Sequence, residues 1–218
     1  MRLDELFLAR RTVSRTLRMQ LVLKRFMDIV TSSILLLLLS PVLLACFLAI
    51  RVSSAGPALF SQDRWGLDQT RFRCLKMRSM YVAGRGASHP AAIADRETGT
   101  LTKMRDDPRV TPVGRLLRRS SIDELPQLIN VLRGDMSMVG PRPLVLPMLE
   151  PFPEVRAVRS VVRPGITGLW QVRNRVNNTS ALHMVRDDAE YIRDFSLWLD
   201  CKILLATPIE VMRGSGAH

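Results

Sequence analysis

A chain of 218 residues is long enough for one buried core and an appendage. Its 32 Lys and Arg against 20 Asp and Glu leave a formal charge of +12, which indicates an anionic partner: phospholipid, nucleotide or nucleic acid. Cys46, Cys74 and Cys201 lie far apart, there is no C-x-x-C, and the only histidines are His89, His183 and His218, so no zinc site or disulfide framework is visible and a reducing compartment suits the chain.

Met1 to Arg25 carries seven cations against Asp4 and Glu5, interleaved with Leu, Phe, Val and Met. It reads as an amphipathic basic arm suited to anionic headgroups, or nearly as well as a solvated terminus. From Ile29 to Ile50 no residue is charged, while Lys24, Arg25, Asp28 and Arg51 mark the ends. The run has about the length that crosses a bilayer core. Its leader is too long for a signal peptide, and Leu43-Leu44-Ala45-Cys46, which mimics a lipoprotein cleavage box, is followed by more apolar residues. Ser40-Pro41 sits in the middle, where proline removes a backbone bond and kinks or breaks a helix. A bent span and a segment that turns back are both open. Positive charge at both flanks favours turning back, while a kinked span meets the same backbone needs.

After Arg51 the composition is that of a soluble domain. Ser53 to Pro57 is a turn, Ala58-Leu59-Phe60 begins a short strand, and Gln62 to Gly66 is a turn carrying Trp65. Arg71 to Arg78 alternates basic with apolar residues, the period of a half-buried strand. Its cationic face reads equally as a phosphate-binding row or as an edge guarded against aggregation. Residues 82–100, rich in Gly, Ala and Ser, read as a mobile loop. Asp106 to Thr111 turns into a helix over Val113 to Arg119, with Leu116 and Leu117 inward.

The stretch from Arg115 to Pro143 organises the chain. It sets Asp123 and Glu124 between Arg115, Arg118 and Arg119 on one side and the Gly-Pro-Arg-Pro turn with Arg142 on the other. Arginine forks suit phosphate oxygens, and a carboxylate can attack phosphorus or hold Mg²⁺ that bridges phosphates. Ser121-x-x-Glu124 reads as a capping box that would place Asp123 in a first helical turn, ionised and nucleophilic. Pro126 leaves open whether Ser121 or Asp123 is the cap. Two ordinary first-turn acids on a surface helix are the plainer alternative. The helix should run from Leu125 to Leu132 and stop at Gly134.

Beyond it, Leu144 to Glu150 is helix-like, Val155 to Val162 carries Arg156 and Arg159 on one side, and Arg163 to Val172 reads as a glycine-containing turn into a short strand. Two glycines and an arginine there would let backbone approach a phosphate. The Asn177-Asn178-Thr179-Ser180 glycosylation patterns are dismissed for a cytoplasmic domain. Asp187 and Asp188 open a last helix running through Trp198 to Leu205, which covers the core or lies on the membrane.

Taken in order, these motifs resemble the bacterial sugar transferase family, the monotopic polyprenol-phosphate phosphoglycosyl transferases. The resemblance runs from Leu23 to about Gly214. It rests on Lys24-Arg25-x-x-Asp28, Ser40-Pro41, Gly56-Pro57, Phe60-x-Gln62-x-Arg64-x-Gly66, Lys76-x-Arg78-Ser79-Met80 and Asp107-Pro108-Arg109-x-Thr111. It continues through Ser121-x-Asp123-Glu124-Leu125-Pro126-Gln127, Gly134 to Pro143 and Arg163 to Gly168. The family often has Gly near Asn174, where this chain has Arg173-Asn174-Arg175, which puts a sugar contact in that loop in doubt.

The resemblance implies an α/β, mainly helical, monotopic membrane protein: a basic arm over residues 1–22, a Ser-Pro-broken re-entrant helix over 23–52 and a small cytosolic catalytic domain over 53–218. It looks like the minimal catalytic form, on the cytoplasmic face of the bacterial inner membrane. By resemblance Asp123 attacks the β-phosphorus of a UDP-sugar, releasing UMP, and undecaprenyl phosphate then takes the sugar phosphate from the carboxylate. Glu124 is implied as a base or metal-side partner. Lys76, Arg78, Arg118, Arg142 and Arg163 are implied as phosphate-binding, and Mg²⁺ as cofactor with Asp123 as its ligand. Such a step would initiate exopolysaccharide, lipopolysaccharide or other glycoconjugate synthesis. Anionic lipid is a further expected partner, a homodimer is left open, and nucleic acid is disfavoured because aromatics are few and not interleaved with basic residues. The competing reading is a non-catalytic basic module that docks on anionic lipid or polymer.

Overall fold

A computed structural model describes residues 15–82, 107–174 and 180–213. Most of the basic arm, nearly all of the glycine-rich loop, the glycosylation-like asparagines and His89 and His218 lie outside the described residues.

Helix α1 (Arg15–Ser53) is long and apolar enough to cross a membrane, and it stays helical through Pro41. Proline has no N–H to give the carbonyl of Leu37 one turn back, and the Ser40 hydroxyl bonds that carbonyl at 2.8 Å instead. The Ser-Pro pair thus leaves no orphaned acceptor where water would be scarce. Buried Asp28, Ser32, Leu43 and Ile50, with Leu35, Leu36, Cys46 and Phe47 partly buried between them, form one stripe at helical spacing against the rest of the protein. Ile34, Leu37, Leu38, Leu44 and Leu48 face outward.

Both ends of this helix are fastened to the same domain. At the first, Arg25 donates to the carbonyls of Val131 (2.5 Å) and Leu132 (2.8 Å), closing the end of a later helix. Lys24 donates to Val139 O (3.0 Å) and Asp200 (2.6 Å), and buried Asp28 accepts from Ser137 Oγ and Met138 N. At the second, Arg78 donates to the carbonyls of Ile50, Ser54 and Ala55.

Strands β1 (Leu59–Trp65) and β2 (Arg71–Met77) form an antiparallel hairpin, with Phe60 opposite Lys76 and Gln62 opposite Cys74. β1 takes in Gln62 to Trp65, expected to turn; the reversal falls instead at Gly66–Thr70, where Asp68 and Gln69 adopt left-handed backbone. β2 buries Phe72 and Cys74 and leaves Arg71 and Arg73 outside, as alternation requires, but the pattern ends there: Leu75 and Lys76 are half-buried and Met77, on the side of the arginines, is buried.

Helix α2 (Pro112–Arg119) begins at Thr111, whose hydroxyl accepts from Gly114 N. A 3₁₀ turn (Ile122–Glu124) follows left-handed Ser121, and α3 (Gln127–Arg133) ends at Gly134 with φ 90°. Short β3 (Ser137–Val139) pairs in parallel with β4 (Gly165–Thr167). Gly140 and Gly165 meet there so closely that a Cβ on Gly165 would lie 2.1 Å from Gly140 N. Glycine at both positions is required by this crossing of backbones.

Helices α4 (Leu146–Leu149) and α5 (Pro153–Arg159) lie between β3 and β4, and α6 (Leu169–Arg173) occupies the segment expected to be strand. The expected single last helix is two, α7 (Ala181–Arg193) and α8 (Leu197–Arg213). Ser180 caps α7, accepting from His183 N, and the Ser196 hydroxyl accepts from Leu199 N at the start of α8. Asp187 and Asp188 therefore sit buried within α7 rather than opening it. Phe72, Cys74, Leu128, Val131, Met136, Met138, Val139, Tyr191 and Ile203 make the central core.

Candidate functional site

Local sequence dictates where the two carboxylates point. Ser121 in left-handed backbone, then a 3₁₀ turn, then Pro126 at the head of α3 turn Asp123 inward, to 8 % exposure. The Ser121 hydroxyl caps neither element, so the capping box does not form.

Asp123 and Glu124 are neighbours in opposite electrostatic states. Burial alone would raise the Glu124 pKa, but Arg142 and Lys76 outweigh it and hold the carboxyl well below the ordinary range. The contacts are direct: Lys76 Nζ and Arg142 Nη2 both lie 2.7 Å from Glu124 Oε1, and Arg142 Nη1 is 3.4 Å from Oε2. Asp123 has no hydrogen-bond donor on its carboxylate among the described residues, and burial raises its pKa against the pull of Lys76, with Glu124 pushing the same way as burial. That reverses the expectation of an Asp kept ionised by a helix dipole: burial favours its protonated form, and Lys76, Arg118 and Arg142 oppose that rise.

Arg118, on α2, donates from Nε to Ser79 Oγ (2.8 Å), and its charge acts on Asp123. Lys76, Arg118, Arg142, Asp123 and Glu124 therefore come together from four elements or turns. Two predicted phosphate ligands do not join them. Arg78, 6 % exposed, spends its guanidinium on the end of α1. Arg163 is exposed and donates to Gly134 O at 2.8 Å.

Sequence reasoning missed the support beneath Arg142. Arg159, fully inside, pairs with Asp188 and donates to the Arg142 carbonyl at 2.6 Å, tying α7 through α5 to the Pro141–Pro143 turn. Arg159 was visible only as one of two arginines on a helix face. Arg64, read as part of a turn, also lies in this region: its Nη1 is 3.4 Å from Pro143 O and its Nη2 donates to Gln62 (2.8 Å).

For Mg²⁺, no group of three His, Cys, Asp or Glu side chains gathers among the described residues. The donor set still fits, because Mg²⁺ is commonly held by one or two carboxylates together with substrate phosphates. Asp123 has free oxygens, while Glu124 is committed to Lys76 and Arg142.

A buried carboxylate ringed by cations, on a domain fastened to an apolar helix, suits phosphate-bearing ligands at a membrane surface. The chain belongs to the bacterial sugar transferase family, whose sequence model matches residues 19–214. It is 42 % identical over 198 residues to the galactosyl transferase CpsE of Streptococcus agalactiae, covering 90 % of this chain and 44 % of that protein. It is 43 % identical over 203 residues to a UDP-glucose:undecaprenyl-phosphate glucose-1-phosphate transferase of Caulobacter vibrioides (89 % and 72 %). To the exopolysaccharide production protein ExoY of Sinorhizobium fredii it is 38 % identical over 201 residues (89 % and 88 %). The chain thus spans less than half the length of the first of these relatives.

Proposed function

We propose that the protein is a phosphoglycosyl transferase that moves a sugar 1-phosphate from a UDP-sugar to undecaprenyl phosphate, in the first lipid-linked step of a bacterial polysaccharide or glycoconjugate. The single observation that carries this is Asp123: buried, unbonded and beside a Glu124 already neutralised by Lys76 and Arg142.

In this reading an Asp123 oxygen attacks the β-phosphorus of the donor. The bond from that phosphorus to the bridging oxygen breaks, its electron pair leaves with UMP, and the sugar phosphate stays on the carboxylate. An oxygen of undecaprenyl phosphate then attacks the same phosphorus, and Asp123 leaves as carboxylate. Arg118 faces the charge that develops near Asp123, and Lys76 and Arg142 add positive potential while holding Glu124 in place. Mg²⁺, with Asp123 and the donor phosphates as ligands, would neutralise diphosphate charge. Relatives named for galactose and for glucose match at 42 and 43 % identity, so overall similarity does not choose the sugar.

We read α1 as re-entrant, with the domain on the cytoplasmic face; what supports re-entry is that both ends of the membrane element bond to the same domain. A straight crossing would separate its ends by a hydrocarbon core about 30 Å thick, yet Lys24, Arg25 and Asp28 at one end and Ile50 and Ser54 at the other all bond to one domain. In this division residues 23–52 form the membrane element and 53–218 the catalytic domain.

The test is UMP release from a panel of UDP-sugars by detergent-solubilised protein, with and without undecaprenyl phosphate and Mg²⁺. Release with one sugar that requires the lipid is expected. Asp123→Asn should abolish it, by at least about 10³-fold, while leaving membrane association intact. Unchanged turnover in that variant would sink the mechanism.

A further inference from the structure

Within the site, charges do not cancel. Lys76 and Arg142 share the Glu124 carboxylate, and Arg118 stands by Asp123. Arg64 is a fourth cation beside the same site: Arg142 opposes its charge and Glu124 favours it. Among the described residues no carboxylate lies within ion-pairing distance of Arg64. Its contacts are neutral, the Gln62 side chain at 2.8 Å and the Pro143 carbonyl at 3.4 Å, and its Nε is buried without an acceptor.

The hairpin explains why it faces the site. Residues opposed across β1 and β2 share a sheet face, so Phe60, Gln62 and Arg64 stand beside Lys76, Cys74 and Phe72. Lys76 on that face reaches Glu124, and the isolated bridge from Arg64 to Val145 sets it against the turn that carries Arg142. A cation taken partly out of water without a counter-charge is unfavourable unless an anion arrives. Burial pushes the Arg64 pKa down to about 10, which still leaves it protonated at neutral pH. Four cations over two carboxylates leave an excess of two positive charges, equal to the charge on the diphosphate of a nucleotide sugar.

We propose that Arg64 is a phosphate-binding residue, its guanidinium oriented by Gln62 and left without a carboxylate so that a substrate phosphate completes the pair. This rests on the phosphoryl-transfer reading of the same site. The phosphate belongs either to the nucleotide or to the lipid carrier, and binding of each is measured separately.

The experiment titrates UMP, and independently a short-chain polyprenyl phosphate, into the full chain in detergent for wild type, Arg64→Met, Gln62→Glu and the double variant. Loss of a charge-assisted contact should weaken one of the two ligands about 10- to 100-fold in Arg64→Met. Gln62→Glu gives Arg64 a carboxylate where it now has an amide. It should weaken the same ligand about 10-fold while keeping or raising Tm, which a purely structural Arg64 would not do. In the Arg64→Met background that second effect should disappear. Equal affinities in wild type and Gln62→Glu overturn the proposal, as does a Gln62→Glu effect that persists without Arg64. Arg64-dependent UMP binding in a chain that turns over no UDP-sugar would remove the reaction and keep the phosphate seat.

Discussion

Glu124 has two cations on one carboxylate oxygen, and that arrangement makes it a structural counter-charge as much as a reacting group. Glu124→Gln would leave Lys76 and Arg142 facing each other at 23 and 28 % side-chain exposure. We expect a loss of about 1–3 kcal/mol, between the surface and fully buried cases, seen as a fall of several degrees in Tm. The pH dependence follows from the same pair. Glu124's folded pKa is depressed, so its contribution is fully present above the unfolded value of about 4.3 and is lost as pH falls through the folded value. Asp123 behaves oppositely in activity: its raised pKa should put the acid limb of turnover above the range of a free carboxylate, and a pH–rate profile that falls only where a free Asp titrates would contradict this. The adjacent acids were legible because they are neighbours in sequence. Lys76 as a direct partner was not, since 48 residues separate it from Glu124 and only the fold closes that distance. Nor was the raised pKa, because a helix-start pattern says nothing of burial.

Among the elements, α2 is seated by Gly114. A Cβ there would lie 2.0 Å from the carbonyl oxygen of Ser79, a backbone atom that cannot move aside alone. Because Ser79 Oγ holds Arg118, Gly114→Ala should shift both; we expect more than about 3 kcal/mol of destabilisation and weakened UMP release, both readable in one purified variant. Asp188→Asn should cost about 3–5 kcal/mol by stranding buried Arg159, and activity should fall with it, since Arg159 supports the Arg142 carbonyl. Helix boundaries at Thr111 and Gly134 and the alternation over Arg71 to Cys74 were readable because caps, glycine stops and period 2 act locally. The length of β1 was not, because Gln62-Asp63-Arg64 looks like a turn until pairing with Phe72 to Cys74 extends it. The division of the last helix was hidden by Asp187 and Asp188, which resemble a helix start yet are occupied inside it, Asp188 by Arg159 and Asp187 by Asn174.

For the whole molecule, the join between α1 and the domain is polar although the helix is apolar. Lys24 bonds Asp200 across it and Asp28 accepts from Ser137 and Met138, while on the domain side the Tyr191 hydroxyl donates to Asp200 at 2.8 Å. Lys24→Met should strand Asp200, 2 % exposed, and release the start of α1, whereas Lys24→Met with Asp200→Leu should recover much of the loss. Limited proteolysis of the two variants in membranes would separate them. From sequence, Lys24 and Arg25 belonged to an arm suited to lipid headgroups and, with Asp28, marked one end of the apolar run; in three dimensions these side chains turn toward protein, because each meets a carbonyl, hydroxyl, amide or carboxylate there. A rod pinned at one tip is free to roll, but α1 is pinned near both. Its azimuth is therefore set by the protein, and the same side, with Ile34, Leu37, Leu38, Leu44 and Leu48, is the one that would meet acyl chains in a bilayer, whatever the lipid. A thicker or thinner bilayer would lift or lower the molecule as one piece without rotating that side away.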